Sequence, residues 1–307
     1  MVGTNSFSSA DLVAVIPEKW GSLMLEQRFP EFVLQDHVTD LSDLISTEGD
    51  IVHVPNLFTN TFGAATTQST PGTEVTLTSP TQVDVTITVD THKYFAFILD
   101  DRTMAQVAKS YKISEAYARM CQKSLLRELE DALFALYTSL TATAVGSAVA
   151  AIADLDFRSA IAYMEGAEFR DETAVFMGVK TYFNQFIGLS KISPNYASNF
   201  NAVATGLLGT AGIAGSQVKG VAYGIPVYTS TRVPSPSAVD KNVMLHKLAY
   251  GFAVKNLGNM GGKVRTQMDY KLENLGTLTV CDIVYGVGIL RADAGILINS
   301  LATSTVA

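Results

Sequence analysis

The side chains that most often perform chemistry show no spacing typical of a catalytic or metal site. The chain has four histidines: His37, His53, His92 and His246. None is spaced as HxxH or HExxH, so we predict partly exposed structural histidines and no bound metal. Cys121 lies in a predicted helix and Cys281 in a predicted strand. This predicts neither a disulfide framework nor a metal site, so we expect reduced, buried thiols and no cofactor.

Two close pairs of carboxylates are the remaining candidates for acid–base work or cation binding. Asp100 and Asp101 form one pair, and Asp154 and Asp156 form the other. Both stand where predicted helices begin, so capping and dipole matching explain them. The glycine-rich stretch 209–215 matches neither GxGxxG nor a GK[ST] phosphate loop. With no GxSxG and no Cys/His nucleophile pattern, we predict that the chain is not an enzyme.

The composition is that of a protein with a sizeable core and a partly covered surface. The 307 residues are 48% hydrophobic and only 17% charged, which suggests that something covers much of the surface. The net charge of −7 argues against a simple nucleic-acid binder. No apolar stretch reaches the roughly 18 to 20 residues that span a bilayer. The N-terminus lacks the basic residues of a secretory signal.

Charge is distributed unevenly along the chain. Between Phe29 and His92 there is no Lys or Arg. This acidic segment carries nine acids: Glu31, Asp36, Asp40, Asp43, Glu48, Asp50, Glu74, Asp84 and Asp90. One interpretation is a solvated acidic surface. The other is a segment that reaches over a second copy and contacts its basic face.

The acidic segment contains a predicted β-hairpin with a long polar tip. Residues 51–55 read as a short strand, and residues 83–90 alternate apolar and polar side chains. The second strand continues into 94–99, which is apolar on both faces and therefore predicted to be buried. Because a two-stranded ribbon is marginal in water, we expect its apolar ladder to pack outside itself, on a neighbouring copy. This is the strongest physical argument for an assembly.

The other elements follow from periodicity and breakers. We predict helices at 101–109, 114–140, 156–165 and 181–189, loops at 190–220, and strands at 174–177, 221–230, 243–245, 249–255, 263–272, 278–290 and 296–298. The helix at 114–140 is amphipathic and roughly 40 Å long. Pro226 favours an edge position for its strand. Residues 1–35 read as an adhering arm that includes Trp20.

Three stretches carry a resemblance to a known family. They are Ile16 to Trp20, Gly49 to Pro55 at the start of the hairpin, and Asp90 to Asp101 at its end. In their order and spacing the chain resembles the major capsid proteins of tailed bacteriophages, which have the Hong Kong 97-type fold. The resemblance implies an α+β protein with an N-terminal arm, a long β-hairpin extended loop, a peripheral domain built on a spine helix, and an axial domain.

The resemblance also implies boundaries. They are 1–35 for the arm, 36–93 for the extended-loop hairpin region, 94–170 for the peripheral domain with the spine helix, 171–249 for the axial domain, 250–299 for the returning peripheral strands, and 300–307 for a tail.

The implied function is a shell subunit. Such a chain assembles through pentamers and hexamers into an icosahedral capsid around double-stranded DNA, which it contacts non-specifically. Scaffolding, portal and decoration proteins are further implied partners, and a membrane is not. The implied location is the virion capsid, assembled in the host bacterial cytoplasm. Some capsids of this fold are crosslinked through a loop lysine. Because residues 46–92 contain no lysine, we predict noncovalent subunit contacts.

Candidate interface residues are apolar, acidic and basic. The apolar candidates are Trp20, Phe58, Phe62, Val83, Val85 and Ile87, and the acidic ones are Glu74 and Asp84. The basic candidates are Lys109, Lys112, Arg119, Lys123, Arg127, Lys263, Arg265 and Lys271. Apolar burial should supply most of the stabilisation, while the charges set register and partner choice.

Three alternatives stay open from the sequence. A nanocompartment (encapsulin-like) shell has the same fold but encloses enzymes instead of DNA. An enzyme with an unrecognised site is a different class, because missing motifs argue only weakly against new chemistry. A tail-tube subunit also uses long hairpins, but the long helix disfavours it.

Overall fold

The structure is a computed structural model that describes residues 32–45, 49–56, 83–106, 113–187, 189, 218–258 and 263–302. The α-helices in these ranges are α1 (Leu34–His37), α2 (Asp101–Gln106), α3 (Ile113–Ala135), α4 (Asp154–Gly166) and α5 (Val179–Thr181), which continues as a π-helix over Tyr182–Phe186. Short 3₁₀ helices lie at Ser42–Ile45, Leu136–Ser139 and Pro236–Ala238. None of the described helices is both long enough and apolar enough to cross a membrane.

The strands form three sheets. They are β1 (Thr39–Asp40), β2 (Ile51–Asn56), β3 (Val83–Thr88), β4 (Thr91–Asp100), β5 (Val145–Gly146), β6 (Thr173–Gly178), β7 (Val218–Ala222), β8 (Ile225–Ser230), β9 (Val239–His246), β10 (Tyr250–Lys255), β11 (Arg265–Lys271), β12 (Gly276–Ile289) and β13 (Gly295–Leu301). A six-stranded sheet has the order β5-β13-β9-β6-β8-β7, and β2 pairs with β3. In the five-stranded sheet the long β12 lies between β4 on one side and β10 and β11 on the other.

The core forms where the helices cover the sheets. In α3 the leucines at four-residue spacing, Leu125, Leu129 and Leu133, are fully buried, because this spacing puts them on one face of the helix. Strand β6 is buried along its whole length, as expected for a central strand covered on both faces. One continuous hydrophobic cluster links α3, α4 and both large sheets.

Most elements agree with the sequence predictions. The long helix, α4, β6, β9, β10, β12 and β13 lie where periodicity placed them, to within a few residues. The long helix is shorter than expected, at about 35 Å for its 23 residues, because the chain tightens into a 3₁₀ turn over Leu136–Ser139.

The structure corrects the predicted single strand at 221–230. It is a hairpin of β7 and β8, joined by a turn at Tyr223 and Gly224 with φ of 52° and 85°. Such left-handed backbone favours glycine. Strand β8 is also not at a sheet edge. Pro226 is tolerated there because pairing with β6 begins one residue later, at Val227.

Several sequence predictions concern residues outside the described ranges. They are the arm with Trp20, the hairpin tip with Phe58, Phe62 and Glu74, the bases Lys109 and Lys112, most of the 190–220 loops, and the last residues of the tail.

Candidate assembly surfaces

The base of the hairpin packs on its own chain. Val52 of β2 and Ile87 of β3 are buried with Val89, Ile45 and Ala253, and Ile87 is only 1% exposed. This burial corrects the sequence prediction for Ile87, which placed the apolar ladder on a neighbouring copy. Alternation establishes that one face of a strand must be covered, but it does not identify the covering surface. Val85 is half-buried and Asp84 is exposed.

Small residues on β10 and β12 form the seat for this base. Gly251 pairs with Gly288, and Ala253 with Gly286, so all four lie on one face of the sheet. A Cβ atom on Gly288 would come within 2.9 Å of Ile87 Cγ1, and one on Gly286 within 2.2 Å of the Thr88 carbonyl oxygen. Both approaches are closer than van der Waals contact allows. We call these four residues the glycine seat, because their absent or small side chains let β3 lie directly on the sheet.

Part of the acidic segment pairs with bases of its own chain. Lys255 Nζ lies 2.5 Å from Asp50 Oδ1, and Lys263 Nζ lies 3.4 Å from Asp40 Oδ2. Within the hairpin, His53 Nδ1 lies 2.5 Å from Asp84 Oδ2. That hydrogen bond holds the pKa of Asp84 below its ordinary value. At Asp40, Asp50 and Asp84 the acidic segment therefore contacts residues of its own chain.

Glu130 of α3 fixes the segment that leads into the fold. Its carboxylate accepts hydrogen bonds from the backbone amides of Val33, Leu34 and Gln35 at 3.1, 2.9 and 3.1 Å. Glu130 is only 1% exposed. Burial raises its pKa, although the three amides oppose the shift. Nothing in the local sequence distinguished Glu130 from the solvated charges of α3, because its partners are about 95 residues away.

Among the described residues, nothing covers one face of the outer half of the five-stranded sheet, where β4 and β11 flank the first part of β12. Opposite α3, Tyr94 and Ile98 of β4 lie beside Asp282 and Leu278 of β12. The exposed fractions of Tyr94 and Ile98 are 67% and 42%. The prediction that 94–99 is buried is therefore wrong for the described part of the chain. We call this surface the bare face and define it as Tyr94, Ala96, Ile98, Leu278 and Val280.

A charged network separates the glycine seat from the bare face. Asp282 of β12 accepts hydrogen bonds from Arg265 Nε at 2.9 Å and lies 3.0 Å from His92 Nε2. Although burial opposes it, the bonds from Arg265 and His92 hold the pKa of Asp282 below its ordinary value. The network joins β4, β12 and β11 and fixes the register of the three strands. Sequence reasoning did not identify Asp282.

The predicted basic interface residues that the structure describes lie in two places. Lys263 pairs with Asp40, Arg265 with Asp282, and Lys271 with Asp269 at 3.0 Å, so these three contact acids of their own chain. Arg119, Lys123 and Arg127 form the second group, at four-residue spacing along one side of α3. Arg119 and Lys123 are exposed and Arg127 is half-buried.

The carboxylate pairs have structural partners. Asp156 accepts a hydrogen bond from the Ala153 backbone amide at 2.9 Å, which caps α4. Asp154 pairs with Arg158 at 2.8 Å, and Asp101 accepts a hydrogen bond from Tyr270 Oη at 2.7 Å. Within the described ranges no three His, Cys, Asp or Glu side chains are grouped as metal ligands.

Solved structures match this fold over nearly its whole length. No family model and no curated protein matches the sequence. The capsid structure of the Cyanophage P-SCSP1u aligns with 97% of this chain and 96% of its own, at a TM-score of 0.71 and 15% identity. The mature capsid of bacteriophage PhiM1 aligns over 99% and 97%, at 0.71 and 14%. A structure from Mycobacterium phage Che8 aligns over 92% and 97%, at 0.69 and 18%. These likenesses confirm the predicted mixed α+β fold.

Proposed function

We propose that this chain, which has the fold of tailed-phage major capsid proteins, is a capsid subunit that assembles through pentamers and hexamers into an icosahedral shell around double-stranded DNA. The observation that carries the proposal is the structural match to phage capsids over nearly the whole of both chains. Its location is then the virion capsid, formed in the host cytoplasm, and its activity is structural and not enzymatic.

The proposed regions follow the implied boundaries. The arm is 1–35, the extended-loop region 36–93, the peripheral domain 94–170 with 250–299, the axial domain 171–249, and the tail 300–307. In support, α3 and the five-stranded sheet fall mainly in the peripheral ranges, and the strands β6 to β9 of the six-stranded sheet lie in the axial range.

The bare face is the surface that we propose a second copy covers. The outer half of the sheet has α3 on one side, but the described residues leave the other side open around Tyr94 and Ile98. An apolar sheet face in contact with water is unfavourable, and exposed apolar surface of this kind marks an interaction site. We infer that the hairpin tip of a neighbouring copy covers it, with Phe58, Phe62 and Val83 as the apolar contacts.

Electrostatic contacts are proposed to set the register of this docking. Lys263, Arg265 and Lys271 contact acids of their own chain, so a neighbouring acid would share these bases with an intrachain partner. The row Arg119, Lys123 and Arg127, the bases Lys109 and Lys112, and the strand residues Lys263, Arg265 and Lys271 are the proposed basic contacts for the acidic arm and loop of a neighbour, including Glu74. Exposed pairs of this kind contribute little affinity each and act mainly on partner choice.

The first test is microscopy of the purified chain and its variants. We expect wild-type protein to form icosahedral shells in negative stain. Ile98→Asp puts a charge on the bare face and should leave unassembled subunits, because an interface does not bury an unpaired carboxylate. The matched control is Leu155→Asp on α4, where the native leucine is also exposed. Tubes, or normal shells from Ile98→Asp, would contradict the proposal.

Two further measurements define the shell. Particles purified from producing cells should contain DNA, whereas a nanocompartment would contain an enzyme cargo. Denaturing gels of intact particles should show monomers only, because the loop has no lysine for crosslinking. A covalent ladder would show that the contacts are not purely noncovalent.

A further inference from the structure

A short strap, residues 33–40, ties the first described part of the chain to the rest of the fold. Its first three backbone amides bond to the carboxylate of Glu130. At its other end, Thr39 Oγ1 donates a 3.1 Å hydrogen bond to the Lys247 carbonyl oxygen, and β1 pairs with β10. The strap is therefore held at both ends, and His37 lies between them.

His37 fastens the middle of the strap to the end of β9. Its Nε2 atom lies 3.2 Å from the Leu245 carbonyl oxygen, so this nitrogen carries a proton and donates it. The ring packs edge-on against the fully buried Phe176, with 5.3 Å between the ring centroids. A neutral imidazole suits this setting, because its single N–H meets a carbonyl and its edge meets an aromatic ring. A protonated ring would hold a charge in a half-buried position.

His246 belongs to the part of the fold that receives the strap. It is the last residue of β9 and begins the docking turn, residues 246–249, whose Lys247 carbonyl oxygen binds Thr39. The Nδ1 atom of His246 accepts a 3.2 Å hydrogen bond from the Leu248 backbone amide, so Nδ1 carries no proton. Protonation of His246 at Nδ1 would break this bond inside the docking turn.

Charged groups of both signs face the two histidines. A cavity beside His37 is lined by charged residues of α1, of the segment before β6 and of the docking turn: Asp36, Arg170, Asp171, Glu172 and Lys247. On the side of His246, the Arg291 guanidinium lies 4.4 Å from the Phe169 ring centroid, which is 5.2 Å from the centroid of the His246 ring. At the far end of the strap, α3 contributes Glu130. The acids favour protonated histidines, and the bases oppose them.

Burial decides the balance among these effects. It lowers the pKa of His37 below its ordinary value, although the Leu245 carbonyl and Glu172 favour the charged ring. Burial likewise lowers the pKa of His246, against the attraction of Glu172 and Asp171. Each neutral histidine therefore contributes stability that is full above the unfolded pKa of about 6.5. This stability is lost as pH falls toward the folded pKa.

We propose that His37 and His246 form an acid-sensitive latch, which holds the strap on the docking turn near neutral pH and releases it in weak acid. At neutral pH each ring has one proton and fits its partner. In acid each ring takes a second proton from water, so the strap and the docking turn both gain positive charge. These charges repel each other and favour exposure of His37 to water.

The two ends of the strap should respond to acid in opposite ways. Burial raises the pKa of Glu130, so its contribution to stability grows as pH falls, while that of His37 shrinks. Release therefore begins at the end nearer the hairpin base. Because the strap leads into the hairpin, its release changes where the hairpin is anchored. The latch lies within one chain, so it does not rest on the proposed shell.

Hydrogen–deuterium exchange of the strap tests the latch. The purified wild-type chain is compared at about pH 7.5 and about pH 5, with rates corrected for the intrinsic pH dependence of exchange. The amides of Val38 and Leu41 bond to the Leu34 and Phe252 carbonyl oxygens, so they report attachment of the strap. We expect their corrected exchange to become several-fold faster in acid, with little change in the buried β6. Equal protection of the strap at both pH values would overturn the proposal.

Glutamine variants assign the response to the histidines. Glutamine keeps an N–H donor for the Leu245 carbonyl oxygen but takes no proton. In acid we expect His37→Gln to exchange at the strap more slowly than wild type, and the double variant with His246→Gln to lose the acid response. His53→Gln is the matched control, because His53 is an exposed histidine of the hairpin base, and it should respond as wild type does. A double variant with the full acid response would refute the latch.

Titration of the wild-type histidines decides the matter even if a variant folds poorly. Deuterium exchange at the imidazole Cε1 position, read by mass spectrometry, gives a pKa for each histidine of the intact chain. We expect His37 and His246 to titrate below the ordinary histidine value of about 6.5. If either histidine titrated at or above that value, it would already be charged when the strap is attached, and the latch would be ruled out.

Discussion

The two halves of one sheet face show opposite ways of covering apolar surface. On the inner half, the glycine seat carries the chain's own hairpin base, and Ile87 is fully covered. On the outer half, β4 presents the bare face around Ile98 with no cover among the described residues. The Asp282 network with Arg265 and His92 stands between them. The inner half thus stabilises the single chain, and the outer half is the surface that we propose a second copy covers.

This difference arises from side-chain size. Strand β3 can approach the backbone of β10 and β12 only where Gly251, Gly286 and Gly288 leave room. Beyond Asp282 the same face carries Val280 and Leu278, whose side chains would keep a strand at the ordinary sheet-packing distance of about 10 Å. The hairpin base therefore stops at the seat.

The largest expected contrast is between the two isoleucines of this region. Ile87→Ala should lower the free energy of unfolding by about 2–5 kcal/mol, because it leaves a cavity over the glycine seat. Ile98→Ala should change the unassembled chain by less than about 0.5 kcal/mol and mainly weaken assembly. Urea unfolding of both variants measures the contrast. Equal losses would mean that the bare face is covered within one chain.

A second change fills the glycine seat. Gly288→Val should destabilise the chain by about 1–3 kcal/mol, because the new side chain displaces Ile87. Gly166→Ala is the matched control, since a Cβ at Gly166 has nothing within 4 Å. Proteolysis between β2 and β3 should become faster in Gly288→Val and not in the control. If Gly288→Val changed neither stability nor proteolysis, the glycine seat would not be what lets β3 lie directly on the sheet.

The anchor at Glu130 is expected to matter next. Glu130→Ala leaves three buried amides without an acceptor and should cost about 1–3 kcal/mol, with a smaller cost for Glu130→Gln. Burial raises the pKa of Glu130 in the folded chain. Its protonation therefore contributes fully to the free energy of unfolding below the pKa of an unfolded glutamate, about 4.3. It is lost as pH rises through the folded pKa. Unfolding at a series of pH values should therefore show wild type losing stability relative to Glu130→Gln as pH rises.

The smallest effect is expected at the edge of the hairpin base. Asp50→Asn removes the pair with Lys255, in which the aspartate side chain is largely exposed. The loss should stay below about 1 kcal/mol and shrink in high salt. Thermal unfolding at low and high salt measures it. A larger, salt-independent loss would mean that this acid contributes to burial of the hairpin and not only to its surface charge.

Local pattern predicted the elements far better than the surfaces between them. The leucines of α3 and the long apolar run of β12 carry their own periodicity, so their positions could be read directly. The prediction that residues 94–99 are buried is wrong because apolar residues on both faces of a strand show only that the strand needs cover. Which surface supplies that cover is decided by tertiary or quaternary structure. Glu130 and Asp282 were missed because their importance lies in partners on distant segments.

The sequence by itself determined most of the strands, the long helix and the need of the hairpin for support from outside itself. These follow from residue periodicity and from the free energy of apolar surface in water, which are local properties. Tertiary structure alone decided that Ile87 packs on Gly286 and Gly288, and that Tyr94 and Ile98 have no cover among the described residues. Such contacts join residues far apart in the chain, and only the packed fold brings them within reach.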